Sequence, residues 1–71
     1  MEKYYVEFVM KDLDMDPPYL MQSATFDSKR EAENWFRKYF DYTSSDVEVR
    51  LMVMDFISED EYEIGFIKTL N

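Results

Sequence analysis

The sequence predicts an α+β fold in the order β-β-α-β-β, a four-stranded antiparallel sheet with one helix packed on one face. Three observations carry this expectation. Apolar and polar residues alternate from Tyr4 to Lys11, the period-two signature of a half-buried strand. The same alternation returns from Val47 to Phe56 and from Tyr62 to Ile67. Between them, a serine-led segment carries its aromatic residues at helical spacing.

Along the first strand Tyr4, Val6, Phe8 and Met10 share one face, and Tyr5, Glu7, Val9 and Lys11 the other. Asp12 to Pro18 reads as a turn, because consecutive prolines cannot donate to a ladder and restrict the residues before them. Tyr19 to Phe26 resumes an extended pattern, expected to hairpin onto the first strand. The helix begins at Ser28, which forms a capping box with Glu31. Ala32, Trp35, Phe36, Tyr39 and Phe40 then fall on one stripe, with Glu33 and Arg37 as an i, i+4 pair on the opposite side. Asp41 to Ser45 is expected to end it.

Val47, Val49, Leu51 and Val53 form one face of the third strand; Glu48, Arg50, Met52, Met54 and Phe56 form the other. Ser58 to Glu61 is a polar connection. In the last strand Tyr62, Ile64 and Phe66 oppose Glu63, Gly65 and Ile67. Gly65, inside a strand, marks a bulge or a close backbone approach. With no repeat and no linker, residues 1–71 read as a single small domain.

The expected core is Tyr4, Val6, Phe8, Met10, Ala24, Phe26, the helix stripe, Val47, Val49, Leu51, Val53, Ile64 and Phe66. That leaves Tyr5, Val9, Met21, Met52, Met54, Phe56 and Ile67 on an open sheet face, interleaved with Glu7, Glu48, Arg50 and Glu63. An apolar face of that kind marks an interaction surface unless the chain's own loops fold over it. Methionine suits such a surface because it adapts to irregular partners. Homodimerisation is the expected use.

Composition narrows function by exclusion. Sixteen acidic residues against eight basic ones give a net charge of -8 over 71 residues. Aromatic residues make up 18% and hydrophobic residues 46%, which argues for a packed core over disorder. There is no histidine or cysteine, so a structural zinc site and an activated serine or cysteine nucleophile lack their parts. A single glycine leaves no glycine-rich phosphate cradle. Asp12, Asp14 and Asp16 have the spacing that opens an EF-hand calcium loop, but Pro17 and Ser23 replace its required Gly and Glu. The expectation is therefore no enzyme, no cofactor and no metal. The start lacks a signal peptide's apolar stretch and no run spans a bilayer, so a cytoplasmic protein without membrane contact is expected.

The charge balance opposes direct nucleic-acid binding, although Tyr5 and Phe56 resemble base-stacking positions. Lys29, Arg30, Arg37 and Lys38 on the helix read as a solvated face balanced by Glu31 and Glu33. The stronger signal is acidic clustering: Asp12, Asp14 and Asp16; Glu59, Asp60, Glu61 and Glu63; and Asp41 and Asp46 flanking the helix end. Closely spaced carboxylates imitate nucleic-acid phosphates and steer association with a basic partner. In size, charge and aromatic density the chain resembles the small acidic inhibitors carried by phages and mobile elements, a likeness of class without a shared motif.

The leading expectation is a non-catalytic acidic protein-binding module, in one version a nucleic-acid mimic that blocks a basic nucleic-acid-binding protein. The alternative is a small oligomeric structural or assembly protein whose acidity serves solubility alone. A small-ligand sensor has no residue to anchor it.

Overall fold

The computed structural model describes residues 1–10, 20–40 and 47–71. The turn at Asp12–Pro18, the Tyr19 start of the second strand, the helix end at Asp41–Ser45 and Asp46 lie outside the described residues. The described elements run β1 (Glu2–Met10), β2 (Leu20–Gln22), α1 (Lys29–Tyr39), β3 (Val47–Phe56) and β4 (Tyr62–Thr69). This is the expected α+β order, and all pairings are antiparallel. The sheet order is β2-β1-β3-β4, so β1 and β3 are central. They pair without a break from Glu2 opposite Asp55 to Met10 opposite Val47.

Alternation explains the central strands. Val6, Val49 and Leu51 are fully buried on the helix side and form the core with Ala32 and Phe36. Each such aliphatic side chain contributes about 1.5–3 kcal/mol by leaving water. Tyr4, Phe8, Phe26, Trp35, Phe40, Val47, Ile67 and Leu70 pack around them. Phe8 is the hub of the aromatic layer, with its ring centroid 5.0 Å from Phe40 and 6.4 Å from both Trp35 and Phe36.

The helix starts where the serine dictates. Ser28 is extended, and its Oγ accepts the Glu31 N–H at 3.1 Å. Phe40 closes the last turn by donating its N–H to Phe36 O at 2.7 Å. The stripe is narrower than expected: Tyr39 is 61% exposed. Its ring leans on Trp35 at 6.2 Å, and Lys38 Nζ sits 5.3 Å from its centroid. The helix lies over β1 and β3, so a residue at the stripe's outer margin finds no strand beneath it.

β2 is shorter than the expected Tyr19–Phe26. Ser23 interrupts it: Val6 N–H donates to Ser23 Oγ at 2.9 Å, and Ser23 N–H donates back to Val6 O. The hydroxyl replaces a backbone carbonyl in the ladder, which resumes only as a bridge between Tyr4 and Phe26. Ala24, expected in the core, is exposed in this interruption. Met21, expected on the open face, lies opposite Phe8 on the helix side and is half exposed. The register of Glu7 opposite Gln22 fixes that phase.

β4 departs furthest from expectation. Ile64 and Phe66, expected in the core, pair with Met54 and Met52 and face away from the helix. Ile67, expected on the open face, packs against the core. A register shift explains the second change. Met52 lies opposite Phe66 but Leu51 lies opposite Lys68, so Ile67 is an extra residue. Such a bulge turns consecutive side chains to one side. The first change follows from the helix position: the early half of β4 has no helix above it, and Glu63 and Gly65 take that side. A Cβ on Gly65 would sit 3.2 Å from Val53 Cγ1, so the neighbour there is a side chain and not the backbone expected, and the bulge lies two residues on at Ile67.

Candidate protein-interaction surface

The face away from the helix is closed at its centre. Tyr5, Val9 and Met52 do lie there, but they are buried, Tyr5 to 2% exposure, and Glu7 is buried between them. The sequence left open whether this face meets a partner or is covered by the chain itself; at its centre these side chains are already out of solvent within the single chain. Met54 is half-buried. The accessible apolar area lies at the β3–β4 margin, where Phe56 is 38%, Tyr62 54%, Ile64 50% and Phe66 58% exposed. Phe56 and Tyr62 are cross-strand neighbours with ring centroids 6.0 Å apart. Sequence reasoning placed Tyr62, Ile64 and Phe66 on one side of the strand but took Ile64 and Phe66 for core; their cross-strand partners Met54 and Met52 show that this side faces away from the helix.

The connection between these strands is held by two bonds, from the Ile57 and Ser58 N–H groups to Glu61 O at 3.0 and 3.2 Å. They leave Ile57, Glu59, Asp60 and Glu61 exposed at the tip. Of the acidic residues singled out in the sequence, Glu59, Asp60, Glu61 and Glu63 are therefore brought together, whereas Asp12, Asp14, Asp16, Asp41 and Asp46 lie outside the described residues.

On the helix side of the same hairpin, pairing builds a group the sequence reading missed. Glu2 lies opposite Asp55, and Asp55 lies opposite Glu63. The row lines a cavity of about 230 Å³ together with Val53, Ile64 and Gly65. Like charges directly opposite one another on a sheet are destabilising, so this end carries a local electrostatic cost. Two contacts reduce it: the Met1 amine lies 3.6 Å from Asp55 Oδ1, and Tyr4 Oη donates to Glu2 Oε2 at 2.8 Å. That bond, with the Glu2 charge, raises the Tyr4 pKa. Glu2 is in phase with Tyr4, and Asp55 with Val53, so two of the three were legible from parity; Glu63 needed the correct phase of β4.

Several cations elsewhere are engaged among the described residues. Lys3 pairs with Asp27, Arg50 with Glu48, and Arg37 with Glu33 at 3.5 Å. The Glu33–Arg37 pair is the expected i, i+4 one, and Glu33 also meets Lys68. Among the described residues, no group of three or more carboxylates is arranged to hold a metal ion, and no helix is long and apolar enough to cross a membrane. The β3–β4 hairpin thus presents an apolar stripe on one face, a carboxylate row on the other and an acidic tip. Comparison of the chain with protein-family models, curated proteins and solved structures gave no match in any of the three.

Proposed function

We propose that this protein is a non-catalytic binding module whose working surface is the β3–β4 hairpin. The observation that carries the reading is the exposed stripe of Phe56, Tyr62, Ile64 and Phe66, with Glu59, Asp60 and Glu61 at the hairpin tip and Glu63 on the opposite face. Exposed aromatic and aliphatic side chains in one patch favour a protein partner. The carboxylates select a basic one and speed its approach. In the most concrete version the acidic end occupies a groove on a cytoplasmic nucleic-acid-binding protein in place of phosphates, as an inhibitor from a phage or mobile element would.

The test is retention of extract proteins on the immobilised chain, followed by a salt gradient and by competition with duplex DNA. The expected result is basic proteins released by moderate salt and by DNA, with retention lost when Glu59, Asp60 and Glu61 become Gln, Asn and Gln. Retention that ignores salt, DNA and this triple change would overturn the reading. A second reading, an assembly protein stable as an oligomer, is favoured by one separate observation: β4 is an edge strand with exposed apolar residues.

A further inference from the structure

We infer that two copies of this chain join edge to edge through β4, antiparallel about a twofold axis at Gly65. The backbone phase comes first. The Ile57 N–H donates to Glu61 O across the turn, a phase in which the next bonding pairs are Asp55 with Glu63 and Val53 with Gly65. The N–H and C=O groups of Tyr62, Ile64 and Phe66 therefore point away from β3, and β4 has no second neighbour among the described residues.

Sheet edges are ordinarily protected by proline, lysine, bulges or short length. β4 is 8 residues long without proline. Its lysine and its bulge both follow Phe66, so Glu63 alone guards the Tyr62–Phe66 stretch.

The occupant is read from the charge pattern. Glu63, Gly65 and Lys68 lie opposite Asp55, Val53 and Leu51 respectively. Because Ile67 is the extra residue, Glu63 and Lys68 sit at equal ladder distances on either side of Gly65. Ile64 and Phe66, opposite Met54 and Met52, are symmetric in the same way. A twofold rotation about Gly65 therefore sets Glu63 against Lys68 of the second copy, and Ile64 against Phe66 of the second copy, each twice. The second pair exchanges both backbone hydrogen bonds and joins the two apolar stripes. Gly65 meets its own copy with no side chain between the backbones. Lys68 also contacts Glu33. An ammonium carries three donors, which leaves it able to serve Glu63 of the second copy. A parallel arrangement would instead set Glu63 against Glu63.

This names the occupant of the apolar part of the surface proposed above and rests on that surface being an interface. It is tested with no other protein present, so a failure here leaves the salt and DNA outcome for a basic partner untouched. Solution mass is measured by light scattering over a concentration series at low and high salt, with amide hydrogen exchange by NMR. The expected result is a dimer that persists at high salt, with the Ile64 and Phe66 amides protected in the dimer and fast-exchanging on dilution.

Ile64→Lys, at a half-exposed site, is expected to give a folded monomer by circular dichroism. Glu63→Lys is expected to weaken association by more than about tenfold, because it sets like charges opposite each other. Adding Lys68→Glu to it, with Glu33→Gln so that the new carboxylate does not oppose Glu33 within the protomer, should restore association. A monomer at every concentration, a dimer whose Ile64 and Phe66 amides exchange freely, or a charge exchange that fails to restore association would each overturn the proposal.

Discussion

Lys68 Nζ lies 2.6 Å from Glu33 Oε1, a contact that ties the helix to the last strand just after its bulge. The helix otherwise rests on β1 and β3, so this ion pair links α1 to the edge of the sheet. The Lys68 hydrogen bond, reinforced by the charges of Lys68, Arg37 and Lys29, holds the Glu33 carboxyl below its ordinary value of 4.5. A carboxyl with a lowered folded-state pKa stabilises the fold above its unfolded value and loses that contribution as pH falls through the folded one. Thermal stability is therefore expected to decline below about pH 4.5 partly through Glu33. Glu33→Gln should flatten that part of the acid limb, read as Tm against pH; an unchanged slope would remove Glu33 from it.

Phe36 is buried between Ala32 and the aromatic layer around Phe8. Phe36→Ala should destabilise by about 3–5 kcal/mol, since it removes a ring and leaves a cavity. Tyr39→Ala, three positions along the helix but exposed, should cost far less. Paired urea titrations of the two variants measure the difference.

Ser28 supplies the Oγ that caps the helix through the Glu31 N–H. Ser28→Ala should cost about 1 kcal/mol, and Ser28→Asp should recover most of it, because a carboxylate accepts the same bond and favours a helix N-terminus. Chemical denaturation of the three proteins decides this.

Glu63 faces Asp55 across the sheet on a side already carrying Glu2. Glu63→Gln should raise stability by about 0.2–1 kcal/mol in dilute solution by relieving like-charge opposition. The same change should weaken self-association through β4. Opposite signs for stability and mass in one variant would separate the cost of the carboxylate row from its use.

Much of the architecture was legible in the residues. Tyr4, Val6 and Phe8 against Val47, Val49 and Leu51 declare the core faces of the central strands, because a strand packed on one side must alternate. Ser28 and the spacing of Ala32, Trp35 and Phe36 declare the helix and its face. The acidic tip at Glu59–Glu61 is likewise plain, since nothing apolar interrupts it.

The misread positions are those where pairing, and not composition, sets the side-chain direction. Period-two patterning assigns Ile64 and Phe66 to a core, but cannot reveal that the helix stops short of β4. Nor can it show that an extra residue at Ile67 reverses the phase. A one-residue slip exchanges the two faces of a strand, so the bulge at Ile67 turns that side chain to the core while its neighbour Phe66 stays exposed. Local patterning specifies the elements, their order and the charge at the hairpin tip. Only the tertiary structure decided that Glu2, Asp55 and Glu63 stand in a row and that the accessible apolar stripe is Phe56, Tyr62, Ile64 and Phe66, because register is a relation between strands that no single strand carries.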